Sequence, residues 1–308
     1  VGHVQPLPFG FPAGNYGVHL FFLISGFVIF MTLERTRAAR DFLVSRFSRL
    51  YPAYWVAILA TAAVVYTLGM PQQRIPTGDV IADATMLQEI LGFEHLDGSY
   101  WTLQVELFFY AQMLLWFALG MLKHIRWIIA AWLALAVVYG ETVQHHLHFS
   151  YTVRELLILR HIPFFALGIL FYRVWSQPRI DWRDLGLMAL ALGAIALVQA
   201  PVYFAAAVVC SGIFTLFVAG RLRWLRAPLF AFLGAISYSL YLLHQAIGFA
   251  LIHQMEAHGV PPLVAVVTTA AVVIALAWTL TRVVEQPAMA AIRAWWRRRD
   301  AAPAHAAT

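Results

Sequence analysis

Arg46 and Arg49 stand three residues apart in the stretch RFSRLYPAYW, and a helix there puts both guanidiniums on one face. Guanidinium groups pair well with phosphate, so this face suits an anionic ligand, or the phosphates of membrane lipid. Glu106 lies five residues into an apolar run that opens at Trp101. A carboxylate about 7 Å along such a helix sits below the lipid headgroups, where it shapes a site or pairs with a neighbouring helix. Ser237, Tyr241 and His244 share one stripe of another apolar segment and point at a cavity or at a packing seam. His3 precedes a loop rich in proline and glycine over residues 6–14 and offers an imidazole as a general base.

Other chemistries are not supported. His145, His146 and His148 cluster without carboxylates or cysteines at metal-ligand spacing, so no metal site is expected. His124, His253, His258 and His305 are isolated. Neither a glycine-rich phosphate loop nor a GxSxG elbow is present. The single cysteine, Cys210, sits in an apolar run and is expected to be buried packing.

The elements that must position these residues are membrane helices. Hydrophobic residues make up 62% of the 308 and charged residues only 12%, about half the share of a soluble domain. The expected fold class is an all-α polytopic transmembrane bundle. Nine spans are legible, at residues 17–33, 53–70, 101–122, 126–142, 155–172, 185–199, 202–219, 229–252 and 261–281. Pro201 separates the sixth from the seventh. Residues 1–290 are expected to form the membrane domain and 291–308 a basic, alanine-rich tail.

Charge fixes the expected orientation. Of 21 basic residues, 18 fall in alternate connections, beginning with Arg35, Arg37, Arg40, Arg46 and Arg49 and ending with Arg293 and Arg297–Arg299. The positive-inside rule makes these connections and the C-terminus cytoplasmic. The net charge of +6 then faces an anionic leaflet, and no nucleic-acid partner is expected. Trp295 and Trp296 with the following arginines look like an interfacial anchor. The 71–100 connection becomes the longest external loop, with Asp79, Asp83, Glu89, Glu94 and Asp97. Residues 1–4 fit the end of a further span entering from the cytoplasm, which brings the expected count to ten.

Five stretches in order resemble the acyltransferase-3 family of integral membrane acyltransferases. GVHLFFLISGFVIF resembles its second span, and RFSRLYPAYW its RxxRxxPxYW junction. YWTLQVELFFY resembles its WSLxxExxFY helix, with Thr102 where serine is commoner. ISYSLYLLH resembles its SYxxYLxH helix and VVEQP its closing ExP. The resemblance covers the chain to about residue 290. His19 stands where an acidic residue is common in the family.

The resemblance implies an O-acyltransferase of the bacterial inner membrane. Such a protein moves an acyl group, often acetyl, from cytoplasmic acyl-CoA to a hydroxyl of an extracytoplasmic or lipid-linked glycan or glycolipid. Acyl-CoA (acetyl-CoA) is then a co-substrate, and no bound cofactor is expected. His3 corresponds to the family's active-site histidine, and the arginine that accompanies it would precede Val1. Arg46 and Arg49 become the acyl-CoA site. Trp101, Glu106, Ser237, Tyr238, Tyr241 and His244 become cavity-lining or supporting residues. Two other readings stay open: a transporter or flippase of an anionic lipid or glycan, and a scaffold whose polar residues are packing seams.

Overall fold

The computed structural model describes Gly14, residues 16–147 and residues 149–301, the last two of these without their side chains. Among the described residues there is no strand. The helices in order are α1 (Gly17–Glu34), α2 (Ala39–Leu68), α3 (Thr77–Asp83), α4 (Trp101–Ala118), α5 (Ile125–Gln144), α6 (Tyr151–Leu156) and α7 (Ile162–Ser176). There follow α8 (Trp182–Val198), α9 (Pro201–Val218), α10 (Pro228–Leu243), α11 (Ala246–Ala257), α12 (Pro262–Leu280) and α13 (Gln286–Ala301). A π-turn over Thr281–Glu285 joins the last two.

Among the described residues, five helical stretches are long and apolar enough to cross a membrane: Gly17–Glu34, Ala39–Leu68, Leu122–Gln144, Pro201–Val218 and Pro262–Arg299. The α10–α11 pair makes a sixth if counted as one span bent by 72°. Bulky apolar side chains on these helices are exposed, among them Leu59, Val209 and Val267, as lipid-facing positions should be.

Several of the nine expected spans differ from the structure; the one at 101–122 ends as α4 at Ala118, and neither it nor the one at 185–199 is among the stretches named above. The span at 155–172 is interrupted, because Ile158 takes a positive φ of 47° and Pro163 opens α7 as a new helix. The span at 229–252 is not continuous, since it breaks at Gln245 between α10 and α11. The span at 261–281 does not stop there, but runs on through the π-turn into α13. Pro287 accounts for that turn. It cannot donate to the carbonyl four residues back, its ring would press on that carbonyl, and a widened turn relieves both.

The chain divides into two compact units. One contains α1 and residues 102–224. Its seam is α1 against α7, where two glycines allow backbone contact. A Cβ on Gly26 would lie 2.2 Å from the Phe165 carbonyl oxygen, and one on Gly168 would lie 2.0 Å from that of Leu23. The same unit holds a charge clamp. Arg126 donates to Asp184 at 2.7 and 3.0 Å and to Asp181, while Arg173 Nε donates to Asp184 at 3.1 Å.

The other unit contains residues 40–101 and the chain from Leu225 onward. Here the 71–100 connection is not an outlying loop. It descends along α2, tied to one face of that helix by aromatic donors. Tyr66 Oη donates to the Ile75 carbonyl, Trp55 Nε1 to Ala84 at 3.0 Å, Tyr54 Oη to Asp83 at 2.8 Å and Tyr51 Oη to Thr85 at 3.1 Å. Tyr66 to Tyr51 is about 22 Å of helix, so the segment reaches far down α2 before it returns.

Candidate active site

The arginine site is built where α2, α10, the π-turn and α13 meet within one unit. Only Arg35 and Arg37 precede α2; Arg40, Arg46 and Arg49 lie on it. The helix continues through Pro52, which leaves the Ser48 carbonyl without its helical donor.

Glu285 is the buried anchor, 3% exposed. Its Oε2 accepts from Ser239 Oγ at 2.9 Å and lies 3.2 Å from Thr281 Oγ1, which also reaches Ser239 Oγ at 2.9 Å. Its Oε1 faces Arg49 Nη1 at 3.6 Å. The Arg49 side chain is 42% exposed, so the guanidinium is held from one side and open on the other. The π-turn brings Thr281 and Glu285 over Ser239. Such turns are frequent at functional sites.

A third guanidinium joins from α13. Arg293 Nε donates to Ser48 Oγ at 3.2 Å, and Nη2 reaches the carbonyl and Oγ of Ser45 at 3.4 Å. Arg46 Nη2 reaches the same Ser45 Oγ at 3.4 Å and its guanidinium lies over the Phe42 ring. Two arginines from different helices thus converge on one serine. Trp296 does not serve as a plain anchor, because its Nε1 donates to Asp41 Oδ1 at 2.8 Å and pins α13 to α2. Tyr238 Oη donates to the Leu50 carbonyl at 2.8 Å and ties α10 to α2 beside the same arginines.

The stripe of Ser237, Tyr241 and His244 does not converge. Ser237 is exposed and donates to Gly234 of its own helix at 2.9 Å. His244 is exposed, with Nδ1 2.8 Å from the Tyr241 carbonyl. Tyr241 Oη donates to the Ser99 carbonyl at 2.7 Å and fastens the returning 71–100 segment. The inward residues of α10 are instead Ser239 and Tyr238. Ser239 stands alone on its stripe, because its neighbours three and four residues away, Ala235, Ile236, Leu242 and Leu243, are all apolar, so spacing does not pick it out.

In the other unit, Glu106 is buried on α4, and its Oε1 accepts from Ser25 Oγ of α1 at 3.0 Å and from Tyr110 Oη. It is a carboxylate hydrogen-bonded to a neighbouring helix, the second of the two roles expected for it. His19 is buried among rings, with Phe164 at 4.5 Å and Tyr203 at 5.3 Å. An aromatic cage of this kind suits an imidazole where a carboxylate would lack donors. Trp101 is the half-buried first residue of α4. His3 lies outside the described residues.

Ser239, Thr281, Glu285 and Arg293 are the site residues that spacing alone did not single out. Glu285 and Pro287 carry a signal, since a lone carboxylate two residues before a proline inside an apolar run marks a helix irregularity.

Comparison with known proteins gives the family of the chain. The acyltransferase-3 family model, described as an acyltransferase domain, matches residues 2–282. The chain is 27% identical over 263 residues to the acyltransferase MdmB of Streptomyces mycarofaciens, covering 75% of this chain and 67% of that protein. It is 27% identical over 253 residues to the exopolysaccharide production protein ExoZ of Rhizobium meliloti, covering 76% of each. No solved structure matches the chain.

Proposed function

Since the chain belongs to the acyltransferase-3 family and is an acyltransferase, we propose that it moves an acyl group, acetyl foremost, from acyl-CoA to a hydroxyl of an extracytoplasmic or lipid-linked glycan. The observation that carries the donor half is the convergence of Arg46 and Arg293 on Ser45 beside the half-open Arg49. Guanidiniums grouped this way suit the several phosphates of CoA. The acceptor half takes support from the relative named for exopolysaccharide production.

In this reading the arginine-bearing end of α2 faces the cytoplasm of a bacterial inner membrane, where acyl-CoA is found, and α13 lies on the same side. His3 takes the proton of the acceptor hydroxyl as its oxygen attacks the thioester carbonyl. The carbon–sulfur bond breaks, the proton passes to the departing CoA sulfur, and an ester and free CoA result. The acceptor oxygen is itself the nucleophile and no side chain is acylated, so transfer is direct.

The test is membranes holding the protein, supplied with radiolabelled acetyl-CoA and scored for label in glycan. His3→Ala at unchanged protein level should abolish transfer, and full activity in that variant would remove the mechanism. The bent α10–α11 pair favours one other reading, a transporter or flippase of an anionic lipid or glycan, since broken helices build transport sites. CoA-independent movement of glycolipid in proteoliposomes would support that reading instead.

A further inference from the structure

A second site stands in the same unit as the arginines. A cavity of about 270 Å³ lies just past the end of α2, between the 71–100 segment and the corner where α10 breaks into α11. Its size falls just under the usual range for drug-sized ligands, and suits a single sugar ring.

The corner is constructed rather than frayed. Asp97 Oδ2 accepts from the Ala246 N–H at 2.7 Å, and its Oδ1 accepts from the Ser99 N–H and hydroxyl at 2.8 and 2.6 Å. Gln73 Nε2 donates to the Ala246 carbonyl at 3.0 Å, and Tyr100 Oη donates to the Leu242 carbonyl at 3.1 Å. Two backbone groups freed by the break are thus satisfied by side chains from the 71–100 segment. Gln245 sits at the corner itself. A Cβ on Gly98 would lie 2.5 Å from Gln245 Nε2, so the missing side chain at 98 is what lets the amide lie across the cavity.

The lining indicates the ligand class. Polar groups come from Gln72, Gln245, Glu94 and His95 and an aromatic ring from Phe249, while the Gln73 amide is spent on the Met70 N–H and the Ala246 carbonyl. The His95 ring is held from both sides, with Nδ1 2.8 Å from Gln88 Nε2 and Nε2 3.5 Å from Glu89 Oε2. Amides, one carboxylate and an imidazole both give and accept hydrogen bonds. Among the described residues no lysine or arginine lines the cavity, so these give it nothing to attract a phosphate. Arg49 and Met70 lie about 30 Å apart along the α2 axis, close to the thickness of a hydrocarbon core.

We propose that this cavity is a subsite for a neutral polyhydroxylated ring, the acceptor side of the transfer described above, on the membrane face opposite the arginines. The assignment as acceptor rests on the transferase reading; binding of the ring does not.

The test uses the purified chain in nanodiscs and saturation-transfer NMR with a panel of methyl glycosides (gluco, galacto, manno and N-acetylglucosaminide). At least one should bind, and glucose 6-phosphate should bind more weakly than methyl glucoside. Gly98→Leu, which fills the cavity, and the milder Gln245→Ala should each weaken binding at least tenfold while acetyl-CoA still binds. No signal from any glycoside, or signals unchanged in both variants, would overturn the proposal. Glycoside binding lost in the variants, from a protein that neither binds acetyl-CoA nor takes up its acyl group, would sink the transferase reading and leave the subsite standing. Acyl transfer with glycoside binding indifferent to both variants would do the reverse.

Discussion

Arg49 and Glu285 face one another at 3.6 Å across two helices, one side chain 42% exposed and the other 3%. The buried member is fixed by two hydroxyls, so the exposed one is the member that is positioned. Glu285→Gln keeps the shape and the hydrogen bonds of Ser239 and removes the charge that orients Arg49. A half-exposed ion pair contributes up to about 1 kcal/mol, so acetyl-CoA binding should weaken about threefold to fivefold. The measurement is KM for acetyl-CoA with kcat followed separately. Tighter binding would mean that Glu285 only repels the anion.

Arg293 shares Ser45 with Arg46 and so joins the proposed acyl-CoA site, although it lies eight residues beyond Glu285 in a basic stretch. Arg293→Ala should weaken CoA binding by about 1.5 kcal/mol, close to tenfold, which is the lower end for a charge-assisted hydrogen bond. Arg298→Ala, an exposed neighbour, serves as the control. Equal loss in both variants would show a diffuse basic surface rather than a site.

Asp184, with its side chain 1% exposed, receives Arg126 and Arg173 together. Asp184→Ala strands two guanidiniums, and removing one partner of such a buried pair costs about 3 kcal/mol or more. Thermal unfolding in detergent should drop by several degrees. Asp181→Ala, at the more exposed end of the clamp, should cost less.

Asp83 gives a pH signature. Burial pushes its carboxyl from 3.8 up to about 6. One oxygen accepts from the Leu96 N–H at 2.7 Å, and the other has no hydrogen-bond partner. Below the ordinary carboxyl range both folded and unfolded chains carry the proton, and stability is full. As pH rises to and through about 6 the folded carboxyl must ionise, and stability is lost. The apparent melting temperature should therefore fall between about pH 4 and 6, and Asp83→Asn should flatten that slope.

Much of the helix placement was legible, because an apolar run of membrane length has few alternatives. Arg46 and Arg49 were legible as one face for the same reason. The 71–100 segment was not. Its polar composition signals a loop, and only the donors of Tyr51, Tyr54, Trp55 and Tyr66 on α2 draw it down that helix. At the break by Gln245, the freed Ala246 N–H is taken by Asp97, 149 positions before Ala246. No local pattern around residue 245 carries that information. Arg293 was hidden differently, since a basic residue after the last span looks the same whether it meets lipid phosphate or Ser45 and Ser48.

The glycine seam of Gly26 and Gly168 sets where this molecule can give. Backbones in direct contact have no rotamers between them to rearrange, so α1 and α7 move as a single stave. Ser25, next along α1 from Gly26, inherits that stiffness and presents its hydroxyl to Glu106 from a fixed address. Any rearrangement in this unit falls on side chains that can swing, while this pair of helices holds its place.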